Sequence, residues 1–203
     1  MVNIILASAS PRRKEIMELM GLEFGVCPSH CEEKITEKDP EKIVMELSRQ
    51  KAEDVAQNAE SGAIIIGSDT IVVLENQVLG KPRSREHAFQ MLSAMAGRTH
   101  RVFTGVTILQ VPCASEGANR DGEREKERKL HKMVIFAECT EVHVAEMTHQ
   151  EINAYLDTNE YKDKAGGYGI QGRFAPYITG INGDYYNVMG LPASALYQHL
   201  KAF

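Results

Sequence analysis

The sequence predicts an α/β fold built on a mixed sheet. Two observations carry this expectation. Through the first half, short apolar runs alternate with helical spacings, as strand–helix units do. Further along, residues 100–109 and 133–145 both have strand composition and can pair as a long antiparallel hairpin.

The elements follow in order. Residues 2–7 read as a short buried strand. A helix is expected over 11–20, with Ser10 as N-cap, Pro11 at the first helical position and Gly21 closing it. Asp39-Pro40 opens a second helix in which Val44, Leu47, Lys51 and Val55 share one face. Residues 63–67 form another buried strand, which 71–74 continue or pair with. Ser84 caps a third helix carrying Ala88, Met91, Leu92 and Met95, and Gly97 ends it.

In the hairpin, Val102, Thr104, Val106 and Ile108 are expected on one face. The polar stretch between its strands, 110–132, reads as a solvated loop insertion of mixed charge. Thr148 and Glu151 form a capping box ahead of Ile152, Tyr155 and Leu156. Residues 166–191 are glycine-rich and aromatic with little periodicity, and a last helix is expected from about 192 to 203.

At 203 residues the chain fits one domain, and its 43% hydrophobic and 25% charged composition suits a water-soluble protein. A net charge of -5 gives no basic footprint for nucleic acid. No apolar run approaches a membrane span, and no secretory signal is expected at the N-terminus. The cysteines, Cys27, Cys31, Cys113 and Cys139, form neither a CxxC pair nor a dense disulfide framework. Cys27, His30 and Cys31 lack a fourth ligand at zinc spacing. Free thiols and a cytoplasmic location are therefore expected.

Four stretches carry candidate chemistry. In "SASPRR", two arginines stand at the positive end of a helix dipole, which does not favour them. A bound anion explains their placement, and so do two solvated surface arginines. Lys51 interrupts an apolar stripe; it either snorkels to the edge or points its ammonium into a cleft. In "IIIGSDTIVVL", Asp69 follows an apolar strand, where polar groups commonly meet ligands or cap a turn. Glu32 and Glu33 could add a carboxylate to a Mg²⁺ site shared with phosphates, and Lys81 in "LGKP" is a further cation. In "EYKDKAGGYGIQG", the glycines allow close approach to a ligand, Gln171 offers a donor and an acceptor to a base edge, and Tyr168 could stack on a ring. No GxSxG nucleophile elbow is present. Cations, carboxylates and a glycine-rich wall are the inventory for metal-assisted attack of water on a polyphosphate.

In order and spacing, "ASASPRR", Glu32-Glu33, Lys51-Ala52, "GSDTIV", "LGKP", "AGRTH", "TGV", "DKAGGYGIQG" and "NVMGLP" resemble the Maf family of nucleoside triphosphate pyrophosphatases, the septum-formation inhibitor family. The resemblance covers nearly the whole chain except the polar insertion. It implies a fold similar to the inosine triphosphate pyrophosphatases, an elongated mixed sheet flanked by helices, with two lobes of one 1–203 domain around a central cleft. It also implies hydrolysis of a nucleoside triphosphate to monophosphate and pyrophosphate with a divalent cation, Mg²⁺ or Mn²⁺.

By motif position, Asp69 is similar to the family's proton acceptor. Ser8, Arg12, Arg13, Lys51 and Lys81 resemble its phosphate-cleft residues, and Glu33 its metal- or water-positioning carboxylate. Glu33 and Asp69 are thus the implied metal ligands. The paired arginines, Thr70 and Gln171 resemble the branch acting on dTTP and UTP, and modified pyrimidine triphosphates are within its scope. The branch favouring methylated GTP differs at all three places. A homodimer and a role in cell-division arrest are further implications. A nucleotide-binding regulator of cell division without turnover would use the same arginines and glycines.

Overall fold

A computed structural model describes residues 3–112 and 132–203. Its elements are β1 (Ile4–Leu6), α1 (Pro11–Leu19), β2 (Phe24–Val26), α2 (Pro40–Ala56), β3 (Ile64–Leu74), β4 (Gln77–Leu79), α3 (Arg85–Met95) and β5 (Thr99–Gln110). Then come β6 (Lys132–Val144), α4 (His149–Asp157), β7 (Ile178–Asn182), α5 (Tyr185–Met189) and α6 (Ala193–Leu200), with short 3₁₀ turns at Ala165–Gly167 and Ala175–Tyr177. The expected polar insertion, 110–132, lies outside the described residues, apart from its first three positions and its last.

Helix starts follow the local chemistry. Asp39 accepts from the amides of Glu41 and Lys42, Ser84 from that of His87, and Thr148 with Glu151 completes a reciprocal capping box. Ser10 differs from expectation: it takes the N-cap backbone conformation, but its side chain caps nothing. Its own amide donates instead to Ser8 Oγ, at 3.2 Å. Within 166–191, where no periodicity marked them, lie β7 and the short α5; both are brief and take their order from the long strands they pack on.

All seven strands join one mixed sheet in the order β2-β1-β3-β5-β6-β7, with β4 also on β3. β1 runs parallel to β2 and β3, and the remaining pairs are antiparallel. β3 is one continuous strand, so Asp69 lies within it rather than at its end. One edge of β3 pairs with β5 from Ile64 to Val73. The other pairs with β1 at Ile64–Ile66 and with β4 at Val72–Leu74. Among the described residues, 67–71 therefore have no strand neighbour on that side.

The two faces differ. α2 covers one, packing Ile43, Val44 and Leu47 on Ile71, Val73 and Phe103, and Ala52 and Val55 on Ile65 and Leu109. The approach is close because Gly67 and Gly105 carry no side chain: a Cβ at either would overlap the α2 backbone, at Ser48 and Val44 respectively. The opposite face holds two apolar clusters. One joins Ile64, Ile66, Val106 and Ile108 to Ile16, Met17, Met189 and Leu196; the other joins Val72, Leu74 and Val102 to α3, α4, Tyr168 and Phe174. Between them β3 presents Ser68 and Thr70, and β5 presents Thr104. The alternation along β3 thus reads apolar, polar, apolar, and the polar step marks a seam. Burial on both faces explains why β5 is almost wholly buried rather than alternating.

His100, 2% exposed on β5, shares a 2.6 Å hydrogen bond with the Tyr168 hydroxyl through Nε2. Burial, with a smaller contribution from His143, pulls its pKa from 6.5 to about 4.

Gly105→Ala should cost about 2 kcal/mol or more in chemical denaturation, because backbone rather than a flexible side chain must move. Gly25→Ala, where an added Cβ meets nothing within 4 Å, should change stability by under about 0.5 kcal/mol. As pH falls below 6.5, the unfolded chain protonates His100 while the folded chain does not. Stability is therefore unaffected above that pH and declines towards pH 4, by roughly 3 kcal/mol in total. Denaturation across this range should show the decline, and His100→Gln should flatten it.

Candidate active site

The seam is where side chains from distant parts of the chain meet. Pro11 starts α1 just after β1, so Arg12 and Arg13 emerge beside the open stretch of β3. Arg13 is tied down three ways: Nε donates to the Gly190 carbonyl at 2.8 Å, Nη1 to Ser8 Oγ at 3.1 Å and Nη2 to Thr70 Oγ1 at 3.2 Å. Burial pulls the Arg13 pKa down, Asp69 opposes this, Arg12 adds to it, and Glu33 opposes it. Arg12 has no hydrogen bond or ion pair among the described residues, and burial lowers its pKa as well.

The network continues inward. Thr70 and Thr104 share a 2.9 Å hydroxyl contact, and Thr104 donates to the Asn187 carbonyl at 2.9 Å. Ser68 donates to the Gly190 carbonyl at 3.0 Å. Gly190 caps α5 with φ +115, a conformation that favours glycine, and this turn aims its carbonyl at both Arg13 and Ser68. Ser68, Thr104, Asn187 and Gly190 fall within the stretches "GSDTIV", "TGV" and "NVMGLP" that carry the family resemblance, but no site role was expected for them from sequence. Gly190 adds a local signal of its own, a glycine where a helix must stop.

Asp69 points to the other face of β3, towards α2. There Lys51 Nζ donates to Asp69 Oδ1 and also lies 2.9 Å from Glu33 Oε1. The side chains of Lys51 and Asp69 are each 15% exposed and that of Glu33 is 50% exposed. Lys51 thus points into the site rather than snorkelling to an edge. Its ammonium sits between two carboxylates, and Asp69 is the more enclosed of them. Glu32 is exposed and makes no such pair.

On the other side of Arg12, a cavity of about 280 Å³ is bordered by Arg12, Lys164, Gln171, Val188 and Met189. Gln171 reaches it from the glycine-rich stretch, and among the described residues its side chain holds only a long 3.5 Å contact to Glu15. Burial lowers the Lys164 pKa, and the positive charge of Arg12 adds to this. Tyr168 borders the cavity but does not offer a free ring, since it packs on Phe174 at 4.8 Å and bonds His100. Lys81 is exposed after β4, without an ion pair among the described residues. The amide of Gly166 donates to the adjacent Gly80 carbonyl at 3.1 Å, which brings the "LGKP" turn against the glycine-rich stretch.

Cys27, Cys31 and Cys139 are free thiols. Among the described residues no group of three or more His, Cys, Asp or Glu could hold a metal alone, and no helix is long and apolar enough to cross a membrane. The donor chemistry nevertheless suits a hard divalent ion that shares its ligands with phosphates. Asp69 and Glu33 are oxygen donors already converging on one cation, the Lys51 ammonium. Mg²⁺ is commonly held by only one or two carboxylates, with waters and substrate phosphates completing it. Chemically, the arrangement offers a partly enclosed carboxylate, two cations without an ion pair among the described residues (Arg12 and Lys81), Lys164, whose ammonium donates to the Glu160 carbonyl, and a helix N-terminus, all suited to an anionic substrate.

The Maf-like protein family profile matches residues 3–203. A "dTTP/UTP pyrophosphatase" of Agathobacter rectalis is 49% identical, covering 99% of this chain and 97% of that protein. Proteins of the same name from Lachnoclostridium phytofermentans and Bacillus anthracis are 48% and 45% identical, each covering 100% of this chain and 96% of the relative. Among solved structures, the Ham1 protein of Staphylococcus aureus is 13% identical with a TM-score of 0.46, covering 87% of this chain and 80% of that one. On the full-length profile match and these relatives, the chain belongs to the Maf-like protein family.

Proposed function

We propose that this protein hydrolyses dTTP and UTP to the nucleoside monophosphate and pyrophosphate. The observation that carries the reading is the convergence of Asp69 and Glu33 on Lys51, beside the Arg13–Ser8–Thr70 network. It is supported by full-length relatives, 44–49% identical, that bear the name dTTP/UTP pyrophosphatase.

Asp69 accepts a proton from the attacking water, whose oxygen bonds to the α-phosphorus while the bond to the leaving pyrophosphate breaks. Lys51, Lys81 and Arg12 oppose the triphosphate charge, most of all the charge that builds on the leaving group. Arg13, spent on internal bonds, fixes Ser8 and Thr70 at the cleft wall. Thr70 and Gln171 select the pyrimidine, with Arg13 acting through Thr70. Glu33 and Asp69 would hold the divalent ion, Mg²⁺ or Mn²⁺, which when bound neutralises phosphate charge. The chain acts as one unit, with its two lobes around the cleft, as a cytoplasmic homodimer.

Asp69→Asn should lower kcat for pyrophosphate release from dTTP by about 100-fold or more, because a positioned base contributes on that order or above. Lys51 keeps Glu33 as a partner in this variant, so its melting temperature should stay close to wild type. Near-normal turnover would refute the assignment. Removing divalent ions with a chelator should stop release and Mg²⁺ should restore it, whereas undiminished release in the chelator overturns the metal requirement.

A further inference from the structure

Glu33 stands in a segment with no regular structure. From the end of β2 to the start of α2 there is neither helix nor strand, and residues 32–39 are all exposed. Apolar burial therefore cannot fix this segment. It is held from α2, by three side chains one turn apart on a single stripe: Glu46, Gln50 and Asp54.

The segment runs antiparallel to the helix along that stripe. Asp54 Oδ2 accepts from Ser29 Oγ at 2.8 Å and from the His30 amide at 2.9 Å. Glu46 accepts from the Thr36 amide at 2.9 Å, the Thr36 hydroxyl at 2.6 Å and the Glu37 amide at 3.4 Å. Between them, Gln50 Oε1 accepts from the Lys34 amide at 2.9 Å, and Gln50 Nε2 donates to the Lys34 carbonyl at 2.6 Å. An amide side chain carries a separate donor and acceptor side by side, so it can answer a peptide group in both directions. A carboxylate there would face the Lys34 carbonyl without a proton to offer it. The two outer acids bind mainly N–H and O–H donors, which suits them, and these bonds hold both carboxyls below the usual range, through Thr36 and Ser29 first.

The residue clasped by Gln50 is the immediate neighbour of Glu33, and Lys51, which Glu33 meets, is the immediate neighbour of Gln50. We infer that Gln50 is a positioning residue: by gripping the Lys34 amide and carbonyl, it sets Glu33 against Lys51 and Asp69, with Glu46 and Asp54 pinning the segment on either side. Gln50 touches no reacting atom. The inference rests on the reading that Glu33 acts in pyrophosphate release.

Gln50→Met keeps the side-chain length and removes both bonds; the site is on the helix surface, so the fold should persist. The test is a double-mutant cycle with Glu33→Gln, assayed on dTTP with Mg²⁺. A melting temperature and the hydrogen exchange of the Lys34 amide are measured on each protein. Gln50→Met should lower kcat about 10-fold with the dTTP KM changed by less than about 2-fold. In the Glu33→Gln background the same change should lower kcat by less than about 2-fold. Exchange at Lys34 should rise at an unchanged melting temperature. Losses that multiply in the double variant overturn the inference, because Gln50 would then act other than through Glu33. Loss in Glu33→Gln with none in Gln50→Met overturns the clasp alone. Full activity in Glu33→Gln overturns the role of the carboxylate and the inference with it, even if exchange at Lys34 rises.

Discussion

The ammonium of Lys51 is the interaction on which the rest of the site depends. It joins a carboxylate on β3 to a carboxylate on an exposed segment, and it does so from a helix whose Leu47, Ser48, Ala52 and Val55 are buried against the sheet. Two negative groups drawn this close repel unless a cation lies between them. Lys51 supplies that cation. The glycines at 67 and 105 make the position reachable, since they let α2 lie close enough for a lysine in an apolar stripe to meet Asp69.

The sheet supplies the second constraint. β1 and β4 share one edge of β3 without meeting, and the intervening stretch carries Ser68, Asp69 and Thr70. Strand alternation then sends Asp69 to the α2 face and its two neighbours to the opposite face, where Arg13 and Gly190 hold them. A continuous strand thus serves both halves of the site, with Ser8, Lys81 and Gln171 added from the turns around it. Glu33 comes from an exposed segment, and there the α2 stripe takes over the work of a scaffold.

Much of this was legible in the residues, and the reasons are local. The helix starts at Asp39, Ser84 and Thr148 were legible because each is a short polar side chain whose oxygen satisfies amides within a few positions. Lys51 in an apolar stripe and the two arginines after Pro11 stood out because each contradicts its immediate surroundings. Asp69 was found for a reason that needs revision: it lies in mid-strand, and a missing strand neighbour marks its surroundings. That absence depends on where β1 and β4 end, which no local pattern records. Tyr168 was misread for a similar reason, since its partner His100 is distant in sequence. Ser68, Thr104 and Asn187 lie in the resembling stretches but show no role there, because an isolated polar residue within a strand or short helix looks the same whether it bonds a distant carbonyl or faces water. The clasp by Gln50 was equally silent, being a contact between an ordinary surface glutamine and a backbone peptide.

The most direct test is a crystal structure of Asp69→Asn with Mg²⁺ and a non-hydrolysable dTTP analogue. The triphosphate should lie between the N-terminus of α1, with Arg12, and the row formed by Glu33, Lys51 and residue 69. The base should lie in the cavity beside Gln171. A triphosphate bound away from Lys51 and Arg12, with that row still closed on itself, would contradict this reading.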